Sequence, residues 1–290
     1  MSKLRVFLEM IKFEHTIFAL PFAYLGMVLA WGSRAAANWS DFIWITIAMA
    51  AARTAAMSLN RYIDRHIDQN NPRTARRPIQ AGLIDARSVL LYALASLLIL
   101  GFAAWQLHPL AFALFPGALL FLLGYAYTKR YTWLCHYILG FTDGLAPMGA
   151  WVAVRGSLFT VADLPAWILL AAVTFWIGGF DVIYACQDVE FDRQTGLHAI
   201  PARFGIRRAL QIAAISHILT VLLLALLGVI SGLGWVYWLG VAAVAALLWY
   251  EHTLVQPDDL SKLGVAFFNI NGYISVTIFL ATLLAVWLLP

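Results

Sequence analysis

Two sets of oxygen-bearing side chains stand out in a chain that is otherwise almost entirely apolar. Asn60, Asp64 and Asp68 form the first, and Asp181, Asp188 and Asp192 the second. Each set closes a long apolar run, where a carboxylate costs several kcal/mol unless it pairs or binds a cation. At about 100° per residue, Asn60, Asp64 and Asp68 fall within about 80° of helical arc. Asp181, Asp188 and Asp192 fall within about 40° by the same arithmetic. Ligands that are all oxygen suit a hard cation, and Mg²⁺ takes one or two carboxylates together with waters and substrate phosphate oxygens. Two such ions facing each other across a cavity would clamp a diphosphate.

The surrounding charges complete that chemistry. Arg73 and Arg77 follow the first set, and Lys129 and Arg130 end a later apolar run. A guanidinium contacts phosphate through two N–H groups, and a lysine adds a point charge. A diphosphate held by metals and cations becomes a good leaving group, because the charge that develops on departure is already met. An ordinary structural role remains open for the first set alone, since Arg61 and Arg65 could pair with Asp64 or Asp68 along one helix. Arg53 lies seven residues before Asn60, on the same face and two turns deeper. An intramembrane arginine marks a site unless a carboxylate or backbone carbonyls satisfy it, and its guanidinium matches an aromatic carboxylate. His66 points away from the acidic face, and the seven histidines show no metal-ligand spacing. Cys135 and Cys186 match no metal or redox pattern; Cys186 reads as a small packing residue.

The elements that must position these groups are apolar helices. Of 290 residues, 62% are apolar and 12% charged, half the charged share of a soluble domain. The chain is expected to be an all-α membrane protein. Windows of about 20 apolar residues fall at 15–32, 42–63, 88–106, 109–127, 134–153, 164–187, 208–230, 233–252 and 266–288, so nine transmembrane helices around a central cavity are expected, in a single domain covering 1–290. Lys3 and Arg5 precede the first window as in a signal peptide, but Glu9, Lys12 and Glu14 intervene, and a retained first helix is expected. With the N-terminus cytoplasmic, sixteen of the nineteen Lys and Arg residues fall on the inner side; Arg34 and Arg155 fall outside and Arg53 within a span. That bias places both acidic sets at the cytoplasmic face. No basic tail or Arg-rich helix points to nucleic acid, and no obligate protein partner is implied.

The halves rhyme. Asp64 and Asp68 recur 124 residues later as Asp188 and Asp192, and each pair leads into a basic loop containing Pro and Gly. This suggests a pseudo-repeat with one shared site between the halves. A cation-coupled transporter of an anionic substrate would share these features. It would need helices broken at corresponding positions of the halves, whereas Pro147 and Gly178-Gly179, the comparable interruptions, do not correspond.

Taken together, the motifs resemble the UbiA superfamily of intramembrane aromatic prenyltransferases. The resemblance covers most of the chain: Asn60-x3-Asp64-x3-Asp68 with Arg73-x3-Arg77-Pro78-x3-Gly82, then Tyr125-x3-Lys129-Arg130, then Asp181-x2-Tyr184-Ala185-x2-Asp188-x3-Asp192-x3-Gly196. It implies nine helices around a cavity, in a bacterial or archaeal inner membrane, and Mg²⁺-assisted ionisation of a polyprenyl diphosphate. Asn60, Asp64 and Asp68 would hold one Mg²⁺, and Asp188 and Asp192 a second. Arg73, Arg77, Lys129, Arg130 and Tyr125 would contact the diphosphate, with Lys12 at its mouth or snorkelling at the interface. Asp181, Tyr184 and Arg53 would serve the reacting centre, Asp181 as acceptor-orienting group or proton acceptor and Arg53 as acceptor-binding arginine. Many members begin the first motif Asn-Asp, whereas this chain has Asn60-Arg61, a change of local charge that spares the ligands. The expected acceptor is 4-hydroxybenzoate, as in ubiquinone biosynthesis. The stretch from Lys12 to Pro21 resembles members that prenylate a dihydroxynaphthoate for menaquinone, which is the alternative.

Overall fold

The computed structural model describes residues 3–11 and 16–287. Lys12, expected near the diphosphate, lies outside the described residues. In chain order the helices are α1 (Lys3–Met10), α2 (Thr16–Trp31), α3 (Trp39–Ile63), α4 (Arg65–Asn70), α5 (Ala86–Leu107), α6 (Pro109–Thr128) and α7 (Cys135–Arg155). There follow α8 (Leu164–Ala185), α9 (Val189–Thr195), α10 (Ile200–Phe204), α11 (Ile206–Ile230), α12 (Trp235–Leu254) and α13 (Asn271–Trp287). Among the described residues there is no strand, as expected of a chain whose backbone N–H and C=O groups must be satisfied away from water.

Long helices occupy all nine expected windows. The largest boundary shift is at the last, where Val265–Ile270 forms a π-helical turn before α13 begins. Five segments of the described residues are long and apolar enough to cross a membrane: Trp39–Ile63, Ala86–Leu107, Pro109–Thr128, Val161–Thr195 and Ile206–Ile230. Helices α2 and α13 are apolar but shorter, while α7 carries His136 and Asp143 and α12 carries Glu251 and His252.

Local chemistry sets the boundaries. Asp85 caps α5 by accepting from Ser88 N–H at 2.8 Å, and His108, the sole linker to α6, accepts from Leu110 N–H before Pro109 fixes the first turn. Asp163, fully buried before α8, accepts from Trp151 Nε1, Ser157 Oγ, and both the N–H and hydroxyl of Thr160 at 2.7–3.0 Å. That carboxylate is a structural one, with its capacity well used.

Helix α7 is central: it packs along α8, α2 and α6 and touches α3. The α8–α11–α12–α13 side returns to α2, and α3 pairs with α5. Helices α7 and α8 run unbroken through Pro147 and Gly178-Gly179, which gives no support to the broken helices a transporter would need. The glycines and proline serve close approach instead. A Cβ on Gly26 of α2 would sit 2.2 Å from the Pro147 carbonyl oxygen, and one on Gly140 of α7 would sit 2.3 Å from the Thr174 carbonyl oxygen. Small residues at such contacts let membrane helices pack backbone to backbone. Gly26→Ala is therefore expected to destabilise the bundle by about 1–3 kcal/mol, the usual range for overpacking. Thermal unfolding of the detergent-solubilised protein checks this, and an unchanged midpoint would contradict the packing described.

Candidate active site

The C-terminal ends of α3, α6 and α8 and the N-terminal end of α7 meet on one side of the bundle, at a cavity of about 1110 Å³. Its deeper wall is largely apolar, from Ile45 and Met49 of α3 to Leu114 and Phe121 of α6 and Leu145 of α7. Asn60, Asp64, Asp68, Asp188, Asp192, Asp181, Arg53, Arg73, Arg77, Lys129, Tyr125 and Tyr184 all line it, and Arg130 reaches it through Asp64.

The acidic sets are not each carried on one straight helix. The first bends at Asp64, which closes α3 and opens α4 with φ −88° and ψ 3°. The second bends at Asp188, the last residue of a 3₁₀ turn between α8 and α9, with φ −104° and ψ 7°. The two halves thus make the same corner at the same motif position, a geometric counterpart of the 124-residue offset. Through the first corner the i→i+4 hydrogen bonds persist, Asp64 N–H to the Asn60 carbonyl at 3.0 Å and Asp68 N–H to the Asp64 carbonyl at 2.8 Å, so helical spacing still brings the three side chains to one cavity. Both short helices contribute to the cavity, Asp68 from α4 and Asp192 from α9.

Three of these carboxylates, Asp64, Asp68 and Asp188, already hold cations. Asp64, 1% exposed, pairs with Lys129 Nζ at 2.6 Å and Arg130 Nη2 at 2.9 Å. Its Oδ2 also accepts from Asn60 Nδ2 at 3.2 Å. Asp68 pairs with Arg77 Nη1 at 2.5 Å. Arg73 leaves the first half altogether: its Nε and Nη2 donate to the two oxygens of Asp188 at 2.9 and 2.5 Å, and its Nη1 donates to Tyr184 Oη at 3.2 Å. Burial works against the Arg73 charge, but the Asp188 hydrogen bonds and charge hold its pKa above the ordinary value. Asn71 reinforces the link, donating to Asp188 Oδ1 at 3.0 Å and accepting from Arg73 N–H at 2.9 Å.

The donor set fits Mg²⁺. It is all oxygen, and among the described residues no three His, Cys, Asp or Glu converge closely enough to hold a metal unaided. An ion taking one or two carboxylates and completing its shell with water and phosphate oxygens needs no closer set.

Deeper in, Arg53 buries an Nε with no hydrogen-bond partner among the described residues, with Asp143 and Tyr125 as its electrostatic neighbours. Tyr125 Oη donates to the Ala56 carbonyl at 3.2 Å. Asp181 Oδ2 lies 2.7 Å from His136 Nδ1. His136 Nε2 accepts from Ile200 N–H at 3.2 Å, so Nδ1 carries the proton and donates to Asp181. Neither His136 nor Asp143 is among the site residues expected from the sequence. His136 gives no sequence signal, since its partners lie 45 and 64 residues away. Asp143 does give one, as a lone carboxylate inside an apolar window.

The UbiA prenyltransferase family model matches residues 19–274. The chain belongs to the UbiA prenyltransferase family. It is a helical membrane protein and a prenyltransferase. A 4-hydroxybenzoate octaprenyltransferase of Chromohalobacter salexigens is 33% identical over 244 residues, covering 83% of this chain and 79% of the relative. One from Salmonella paratyphi B is 30% identical over 295 residues, covering 99% and 97%. Among solved structures, the apo form of a UbiA homologue from Aeropyrum pernix superposes with a TM-score of 0.82 at 32% identity, covering 92% of this chain and 96% of the other. A UbiA homologue from Archaeoglobus fulgidus, solved with DMAPP and Mg²⁺, shares the fold with a TM-score of 0.64 at 21% identity, covering 96% and 99%.

Proposed function

We propose that this prenyltransferase moves a polyprenyl group from its diphosphate to an aromatic acid, with 4-hydroxybenzoate as the acceptor. The observation that carries the reading is the layering of one cavity. Cation-paired carboxylates from both halves ring its mouth, and an incompletely satisfied guanidinium, Arg53, lies deeper among apolar walls. The relatives named above as 4-hydroxybenzoate octaprenyltransferases support it. The reading takes all nine long helices as membrane-spanning within one domain, 1–290, with the N-terminus and the cavity mouth on the cytoplasmic side, as the Lys and Arg distribution favours.

Asn60, Asp64 and Asp68 would hold one Mg²⁺, and Asp188 and Asp192 another. Bound there, the metal supplies Lewis-acid neutralisation of charge on the leaving diphosphate. Arg73, Arg77, Lys129 and Arg130 exchange their carboxylates for phosphate oxygens, with Tyr125 beside them, and Tyr184, which accepts from Arg73 Nη1, joins them to the reacting centre it serves with Asp181 and Arg53. The allylic C–O bond breaks and its electron pair leaves with the diphosphate. The ring carbon next to the phenol hydroxyl forms the new C–C bond, and the ring proton passes to Asp181 Oδ1, since Oδ2 already accepts from His136. Apolar walls keep water from the allylic cation.

The test is purified protein in detergent with geranyl diphosphate, Mg²⁺ and a panel of aromatic acids that includes 4-hydroxybenzoate and a dihydroxynaphthoate. Mg²⁺-dependent prenylation of 4-hydroxybenzoate above the others is expected. Preference for the naphthoate would move the assignment to menaquinone synthesis, and no product with any aromatic acid would overturn it.

A further inference from the structure

Asp143 lies midway along α7, seven residues after His136 and therefore on the same face. Its side chain is open to the cavity. Among the described residues no hydrogen bond or ion pair engages it, and its neighbours in the electrostatic sense are Arg53 and Asp181. This sets it apart from most acidic groups of the bundle, although the Asp192 side chain at the mouth likewise makes no hydrogen bond or ion pair among the described residues. Asp163 is saturated by four hydrogen bonds, Asp181 accepts a hydrogen bond from His136 Nδ1, and Asp64, Asp68 and Asp188 hold cations. A carboxylate so deep in a membrane bundle is costly unless something meets it.

The two groups with spare capacity in this part of the cavity are complementary. Arg53 offers an N–H and needs an acceptor; Asp143 offers oxygens and needs a donor. They face the same space without pairing with each other. One small ligand satisfies both if it carries an anionic group and a hydroxyl on a rigid frame. A ring bearing the acid alone leaves Asp143 desolvated and unmatched, and sites built around a hydroxyl discriminate strongly against analogues without one.

We propose that Asp143 is the specificity residue for the acceptor's hydroxyl, accepting its hydrogen bond while Arg53 takes the acid group. This rests on the reading of the cavity as an aromatic-acid site. It confines acceptors to hydroxylated aromatic acids and separates two tasks, with Asp143 recognising the phenol and Asp181 receiving the ring proton.

Binding of benzoate and 4-hydroxybenzoate to the detergent-solubilised full chain tests this, measured by calorimetry for wild type and Asp143→Leu. Wild type is expected to prefer 4-hydroxybenzoate by about tenfold or more, the usual scale for leaving a buried polar group unpaired. Asp143→Leu removes an intramembrane charge and should remain folded. It is expected to bind both acids alike, with benzoate affinity at least that of wild type, which also certifies its fold. If the Asp143→Leu substitution is not tolerated, Asp143→Asn keeps the shape and one accepting oxygen, and a reduced but surviving preference is expected. A variant that keeps the full wild-type preference overturns the inference, as does a wild type that binds both acids equally. A wild type that binds neither acid overturns the aromatic-acid reading with it.

Discussion

Asp64→Ala is expected to lower prenyl transfer by about 10³-fold, the upper scale for losing one electrostatic contributor at a reacting centre. Asp64 is the most heavily engaged carboxylate of the mouth. It meets Lys129, Arg130 and Asn60 at once while being 1% exposed. Removing it leaves two neighbouring cations facing each other, each a quarter to a third exposed, so solvent screening moderates the cost to the fold. The loss should therefore appear in turnover before it appears in stability. Steady-state kinetics with geranyl diphosphate, run beside a thermal unfolding curve, separates the two. A variant that turns over at the wild-type rate would remove Asp64 from the site.

Arg53→Leu has the second largest expected effect, about two to three orders of magnitude in kcat/KM for the aromatic acid. That scale follows from withdrawing one partner of a desolvated charge contact, at about 1.36 kcal/mol per factor of ten. Because Arg53 lies away from the ion pairs of the mouth, the KM for geranyl diphosphate should stay near its wild-type value. A matching loss for both substrates would instead place Arg53 with the diphosphate. The substitution also deletes a buried guanidinium whose Nε has no partner among the described residues, so the variant should fold at least as readily as wild type.

The legibility of this protein in its sequence follows the reach of each interaction. Helices α3, α5, α6 and α11 are written locally, as apolar runs of sufficient length, and their boundaries come from local caps such as Asp85 and His108. The acidic sets are legible because their spacing repeats at a fixed offset. The corner at Asp64 is not, since Asn60, Asp64 and Asp68 keep helical spacing in sequence while the bonds that hold α4 beyond it, Thr74 to the Asp68 carbonyl and Gln80 to the Arg65 carbonyl, come from the following loop. The partner of Arg73 is equally hidden: proximity in sequence suggests Asp68, yet it reaches Asp188, 115 residues away. His136 lacks any spacing partner because its contacts are made between α7, α8 and α10. Asp143 differs from these. A single carboxylate in the 134–153 window is a visible anomaly, outshone by the repeated motifs around it.

The crossing of Arg73 from one half to the other has a consequence for the order of events. In the resting protein three of the carboxylates suited to a cation, Asp64, Asp68 and Asp188, are satisfied by the groups suited to a phosphate, so most of the mouth is a circuit of opposite charges. A lone cation arriving there must displace arginines and lysines with nowhere to go, and a lone diphosphate must strip carboxylates of their counter-charges. Each ligand supplies what the other displaces. By thermodynamic linkage each then raises the affinity of the site for the other by the same factor. On the proposed reading the site would behave as a coincidence detector, and because Arg73 ties the first half to the second, both halves would release together.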